Sequence, residues 1–203
     1  ADNQFSVQNT GVYPAMFTGS EAMRILTPSA FTIEVSFKPE SGGYRTLVGR
    51  DSYGAIAENP ALAALYPQIT PSNAIVIGFA DVAGKWHSAQ SADGLIQGFA
   101  FPNAQQGHWY HAVAVSDGTL LSLYLADVDA GRGYELVAQA DMTASGSTNT
   151  ALTAGLGSGS DWQAGNWSVG RGLHNGGHTD RAYGLIDEVR ISQKALVPAQ
   201  FLY

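Results

Sequence analysis

The sequence predicts an all-β protein, an antiparallel β-sandwich, on three observations. Apolar and polar residues alternate with a period of two through most of the chain, helical periodicity is nearly absent, and tight-turn residues such as Asp117-Gly118 separate the alternating runs. With 203 residues, a hydrophobic fraction of 45% and no long uninterrupted apolar stretch, the chain can bury one sizeable core and has nothing to span a bilayer. One domain over residues 1–203 is the expectation.

The first confident strand is residues 31–37, where Phe31, Ile33, Val35 and Phe37 share one face and Thr32, Glu34 and Ser36 the other. Comparable runs follow at residues 45–50, 74–81, 85–90, 109–116, 120–126, 134–140 and 182–192, enough strands for a sandwich. Two helical pieces are predicted between them. Asn59 can cap a turn that starts at Pro60, continues through Ala61 to Tyr66 and is stopped by Pro67. A second turn spans residues 197–202, with Pro198 at its start and Leu196 and Phe201 offered as a plug for one end of the sandwich. Residues 143–165 are rich in Gly, Ser, Thr and Ala without either period, which predicts a long mobile loop with Trp162 near its far end.

Charge narrows the function classes. Lysine and arginine total 10 against 17 acidic residues, for a formal charge of -7, so no cationic surface is available for a phosphate backbone or an anionic membrane. The absence of cysteine removes disulfides and thiolate metal sites but assigns no compartment. Sparse lysine, 24 glycines and nine tyrosines suit an exported sugar-handling protein, and the chain opens Ala1-Asp2-Asn3 as a mature secreted product or an excised module does.

The order of the strongest segments resembles a known family. These are Phe31-Thr32-Ile33-Glu34-Val35-Ser36-Phe37, the hairpin His108-Trp109-Tyr110-His111-Ala112-Val113-Ala114-Val115 with Leu120-Leu121-Ser122-Leu123-Tyr124-Leu125, then Trp167-Ser168-Val169-Gly170-Arg171-Gly172, and the closing strand Tyr183-Gly184-Leu185-Ile186-Asp187-Glu188-Val189-Arg190-Ile191-Ser192. Together they resemble the laminin-G-like branch of the concanavalin A-like lectin/glucanase jelly rolls, over nearly the whole chain. The resemblance implies a sugar-binding module more than an enzyme, in a larger secreted or extracellular protein, with a catalytic domain in the same polypeptide. It also implies a use for Asp187, which the alternation of Leu185, Asp187, Val189 and Ile191 sets on an apolar face. In similar proteins an acid near the start of this strand helps close the sandwich, sometimes through calcium shared with the N-terminal segment. Here Glu21 and the carbonyls around Gly19 and Ser20 could complete such an ion, and a plain hydrogen bond or salt bridge from Asp187 is the equal alternative.

No catalytic arrangement is evident. Glucanases of the resembling superfamily carry two glutamates flanking an aspartate on one strand, and retaining hydrolysis requires a close carboxyl pair. No Glu-x-Asp-x-x-Glu run occurs, and Asp187 and Glu188 are strand neighbours that face opposite ways. His174-Asn175-Gly176-Gly177-His178 has the spacing of a zinc helix, but Asn-Gly-Gly will not hold a helix.

What remains is an inventory of aromatic rings and polar donors suited to sugars, whose C–H faces stack on Trp or Tyr. The candidate ligand-binding residues are Arg50, Tyr53, Trp86, His87, Trp162, Arg171, His174 and His178, all in loops or short strands. Trp109 and Trp167 open strands and are assigned to the core. Three classes stay open. The first is a non-catalytic carbohydrate-binding, lectin-like module; the second is a polysaccharide lyase or glycoside hydrolase on the same fold; the third is a protein-adhesion or spacer module.

Overall fold

The computed structural model describes residues 6–10, 16–99 and 107–203. Among the described residues the strands are β1 (Val7–Thr10), β2 (Met16–Phe17), β3 (Phe31–Pro39), β4 (Arg45–Thr46), β5 (Val48–Arg50), β6 (Leu65–Ile69), β7 (Ile75–Ala80) and β8 (Trp86–Gln90). They continue as β9 (Tyr110–Ser116), β10 (Leu120–Asp127), β11 (Arg132–Asp141), β12 (Trp167–Val169), β13 (Gly172–His174), β14 (Gly177–Thr179) and β15 (Tyr183–Ser192). One turn of helix, α1 (Glu21–Arg24), and a 3-10 turn at Pro198–Gln200 are the helical pieces among these residues. A six-stranded sheet runs β1-β15-β3-β9-β10-β11, and a seven-stranded sheet runs β2-β12-β5-β6-β7-β8 with β4 beside β6. Every pairing between these strands is antiparallel.

The alternation sorts the strands as the sequence predicts. Phe31, Ile33, Val35 and Phe37 of β3 meet Leu65, Ile69, Ile75, Ile77 and Phe79 of β6 and β7 in one core between the sheets, joined by Leu121, Leu123, Trp167 and Ile186. Phe31 sets its ring edge against Phe79 at 5.1 Å, and Phe37 stacks on Tyr110 at 5.5 Å. At the β9–β10 turn Gly118 takes φ +92°, while the Asp117 carboxylate accepts from the backbone N–H groups of Thr119 and Leu120 at 2.8 and 2.7 Å.

Several expectations are corrected. Leu65 to Ile69 form a strand, not the end of a helix, and Pro67 lies inside it. A proline cannot donate to the ladder, and the neighbouring pairing breaks at the corresponding place. Leu47, between β4 and β5, still donates to the Pro67 carbonyl at 2.9 Å, while its own carbonyl accepts from Gly170 at 2.8 Å. Trp109 is half-buried and outside the core, its N–H held by Asp129 at 3.0 Å; the core place at this strand end belongs to Tyr110. Val113 is buried, but on the outer face of the six-stranded sheet beneath Leu196 and Phe201, so the C-terminal segment covers a sheet face where an end plug was expected.

Asp187 also changes sides. The β15–β3 register shifts between Asp187 and Arg190, and Glu188 takes φ +49°. This bulge reverses the parity, so Ile186 faces the core before it and Val189 and Ile191 after it. Asp187 sits opposite Ser36, and its carboxylate accepts from the Glu188 N–H at 2.8 Å.

The glycine-rich stretch 143–165 has little regular structure but is laced to the body. Leu152 is buried and donates to Pro28, Val82 donates to Ala151, Tyr53 donates to Leu156 and Gly165 donates to Asp51, at 2.8 to 3.0 Å. These bonds satisfy backbone groups that a free loop would leave to water. No helix among the described residues is long and apolar enough to cross a membrane.

Candidate functional site

The outer face of the seven-stranded sheet carries an open cleft of about 760 Å³, within the size range of ligand sites. Its floor follows from the two-residue period. While Leu65, Ile69, Ile75, Ile77 and Phe79 point into the core, Tyr66, Gln68, Val76 and Gly78 point out, and β8 adds Trp86, Ser88 and Gln90. Register arranges these in rows, Tyr66 beside Gly78 beside Ser88, then Gln68 beside Val76 beside Gln90.

Gly78 leaves a gap in the first row, and the Trp86 indole lies across it. A methyl group at Gly78 would run into Cζ2 of that ring. Trp86 is thereby laid on the sheet with Tyr66 at 6.0 Å, tilted by 59°. Tyr66 is fixed from below, since its hydroxyl accepts from Ala63 N–H at 2.7 Å and donates to the Leu173 carbonyl. Burial pushes its ionisation upward, which keeps it a neutral donor.

One wall is a hairpin that the sequence marks as Asn175-Gly176. These residues take φ 51° and 73°, both positive as a tight two-residue turn between β13 and β14 requires. Trp162 holds it in place, donating from Nε1 to the Gly176 carbonyl at 2.9 Å while packing with Tyr66 and Leu173. His174, Thr179 and Asp180 then face the cleft. Gln68 donates to Asp180 at 3.2 Å and to Thr46 at 3.1 Å.

Of the residues singled out by sequence, Trp86 and His174 line the cleft. Tyr53 is exposed beside the hairpin turn, near Gly176, and Trp162 is buried behind the wall. The others turn inward or bind elsewhere. Arg50 is fully buried, donates to the Arg24 and Leu26 carbonyls at 2.7 and 2.6 Å, and lies over the Trp167 ring; burial lowers its pKa to about 10. His87 is buried on the core side of β8 against Asp81 at 2.9 Å, and Asp81 also accepts from Ala83 and Lys85. Arg171 is buried and pairs with Asp51 at 3.3 Å, where burial pushes the Asp51 carboxyl up to about 6 against the pull of Arg171. His178 sits 3.2 Å from Asp161, and burial lowers its pKa. Tyr66, Gln68, Ser88 and Gln90 were missed by the sequence reading. For Tyr66 and Gln68 the signal was the alternation Leu65-Tyr66-Pro67-Gln68-Ile69, obscured by the prolines that suggested a helix; for Ser88 and Gln90 it was their place two and four residues after Trp86 on the predicted strand 85–90.

Glu21 stands exposed in the first turn of α1, while Asp187 is on β15 of the six-stranded sheet. Among the described residues no group of three or more His, Cys, Asp or Glu side chains is placed to hold a metal ion.

Two antiparallel sheets packed in this order, one with a polar open face, make a laminin-G-like jelly roll of the concanavalin A-like type, and solved structures share it. The carbohydrate-binding module CBM40 of the Ruminococcus gnavus IT-sialidase, bound to alpha2,6 sialyllactose, is similar with a TM-score of 0.65 and 15% identity, over 95% of this chain and 92% of that one. The leech intramolecular trans-sialidase is similar with a TM-score of 0.63 and 16% identity, over 95% of this chain and 26% of that one. The LG1-3 region of the laminin alpha2 chain gives a TM-score of 0.59 and 14% identity, over 94% of this chain and 31% of that one. No family model and no curated protein matches the sequence. Identities this low establish the fold alone.

Proposed function

We propose that this chain is a non-catalytic carbohydrate-binding module whose glycan lies in the cleft across β6, β7 and β8. The observation that carries the reading is the Trp86 ring laid over Gly78, an apolar platform with exposed hydroxyl and amide groups of Ser88 and Gln90 beside it. A pyranose presents the complementary surface, C–H bonds on one face and hydroxyls at the edge. Support comes from the sialidase module of like fold, whose structure holds a sialylated sugar and which this chain covers almost end to end. Glycosidic hydrolysis needs two carboxyl groups about the bond. Asp180 is the single carboxylate among the described residues lining the cleft, which favours binding over cleavage.

The same reading makes the chain a secreted module attached to a polysaccharide-active catalytic domain. The leech trans-sialidase, in which the matched fold is about a quarter of the chain, supports that arrangement. A structural calcium ion at Asp187 and Glu21 is a separate proposal. One Asp187 oxygen already accepts from Glu188, so backbone carbonyls and water would have to complete six to eight ligands. A chelator that lowers the melting temperature supports the ion, and an unchanged melting curve removes it.

The binding site is tested by a glycan array followed by titration of the best ligand. Trp86→Ala is expected to weaken binding by about 1–3 kcal/mol, the scale of one lost stacking platform by analogy with bases, with the melting temperature nearly unchanged. An array without hits, or equal affinity in the variant, rejects the site. Release of reducing ends or unsaturated sugars by the purified chain, abolished by a single substitution, rejects the non-catalytic reading.

A further inference from the structure

Resting on the cleft as the glycan site, we infer that its ligand is a neutral glycan and that acidic sugars are turned away. The chain contains ten lysines and arginines, and all of them fall within the described residues. None lines the cleft. Arg45, beside Tyr44 in sequence, donates to the Tyr44 carbonyl and lies over the Tyr183 ring, and Arg181, beside Asp180, is also outside the lining. Arg50 and Arg171 are inside, bonded to backbone carbonyls and to Asp51. Arg132 and Arg190 belong to the other sheet, paired with Asp127 and Glu34. Lys85, next to Trp86 in sequence, precedes β8 and donates to the Ser145 carbonyl at 3.0 Å.

The cleft offers hydroxyls and amides from Gln68, Thr70, Ser88 and Gln90, one histidine, and the carboxylate Asp180. A sugar carboxylate brought against these would lose water without gaining a cationic partner and would meet a like charge at Asp180. The formal charge of -7 adds a long-range repulsion. Neutral hydroxyls have no such penalty. They find donors in the amides and acceptors in Gln68, Ser88 and Asp180, and the Trp86 ring needs only their C–H faces. In this respect the cleft is unsuited to the ligand of the sialidase module that shares the fold, since sialyllactose carries a carboxylate.

The experiment pairs neutral and acidic sugars at pH 8, above the ordinary histidine range. Probes are neutral galacto-, gluco-, manno- and xylo-hexasaccharides, hexagalacturonate, lactose and 3'-sialyllactose, titrated at 50 and 500 mM salt. The expected result is binding of at least one neutral sugar, changed less than twofold by salt and weakened about fivefold or more by Trp86→Ala, with each acidic probe at least tenfold weaker than its neutral counterpart. Gln90→Arg places a cation at the exposed edge of the floor and is expected to raise hexagalacturonate affinity tenfold at low salt only. An acidic probe that binds the unmodified chain as tightly as its neutral counterpart, and is lost with Trp86→Ala, overturns the inference while leaving the glycan site standing. Failure of every probe to bind, or binding that ignores Trp86→Ala, overturns the site itself and the inference with it. A Gln90→Arg protein without any gain for hexagalacturonate counts against charge as the selecting feature.

Discussion

Trp86 and His87 are neighbours in sequence, yet one floors the cleft and the other is buried against Asp81. The two-residue period alone separates them, so the sequence that named both as ligands carried the means of choosing between them. The tryptophans divide in a way that composition could not reveal. Trp162 is buried behind the hairpin, because its polar, glycine-flanked setting becomes interior once residues 143–165 fold back on the body, whereas Trp109, expected in the core, is half-buried near Asp129. Trp162→Ala is therefore expected to cost about 3–5 kcal/mol of stability and to loosen the His174 wall, while Trp109→Ala costs well under half as much; urea midpoints of the two variants decide. His111 supplies a pH test. It is buried beside Ser36 at 2.7 Å, and burial, with Arg190 nearby, lowers its pKa from 6.5 to about 4. Between those values the unfolded chain binds more protons than the fold, so the stability contribution is complete above pH 6.5 and is lost as pH falls towards 4. The loss is on the order of 3 kcal/mol at most. His111→Gln is expected to flatten that acid limb in a series of urea melts, and identical slopes in both proteins would rule the residue out.

At the scale of elements, β6, β7 and β15 differ most from their sequence patterns. A proline in β6 is tolerated because the break between β4 and β5 falls opposite it, a tertiary circumstance that no local propensity encodes. In β7, the small residue that weakens a strand is the one that admits the Trp86 ring. Gly78→Ala is expected to lift that ring and to weaken glycan binding several-fold, with a smaller effect on the melting temperature than on affinity; binding equal to the unmodified chain would show that the ring does not depend on the gap. The bulge of β15 could not be read from Leu185 to Ile191, since one extra residue inverts every later position. The C-terminal segment is the clearest gain over the sequence reading. Thr32 donates to the Lys194 carbonyl at 2.8 Å and accepts from Leu196 N–H at 2.9 Å, Glu34 accepts from Leu202 at 2.8 Å, and Leu196 and Phe201 cover Val113 and Val115. Removing residues 196–203 uncovers those side chains and is expected to cost roughly 3–6 kcal/mol. Because the segment lies on the sheet opposite the cleft, the folded fraction of the truncated chain should bind glycan with unchanged affinity. A loss of binding at full folding would contradict that separation.

For the whole molecule, the class of fold was legible and the connection between distant segments was not. Alternation announced strands at residues 31–37, 109–116 and 120–126; the inward faces of the first and third are those observed, whereas in the second Tyr110, Ala112 and Ala114 face the core where Trp109 had been expected. What alternation could not supply is which strands are neighbours, because pairing partners lie far apart: β1 joins β15, β15 joins β3, and β12 joins β2 and β5. The two sheets are interleaved along the chain, one drawing on β1, β3, β9 to β11 and β15, the other on β2, β4 to β8 and β12. Neither sheet is a continuous segment that could close by itself, and both bury their inner faces in the one core formed by Phe31, Ile33, Ile77, Phe79, Leu123 and Trp167. Loss of either sheet would expose the other's apolar face, so unfolding should be cooperative across the described body. The expected outcome is a single transition in which tryptophan fluorescence, to which Trp86, Trp109, Trp162 and Trp167 all contribute, and far-ultraviolet circular dichroism, reporting the sheets, share one midpoint. Refolding should fall in the millisecond-to-second range that non-local β pairing imposes. A fluorescence midpoint well below that of circular dichroism, the difference abolished by Trp162→Phe, would mean that the Trp162 wall melts as a separate unit, and the cleft would then be assembled on a hinge instead of on the rigid sheet.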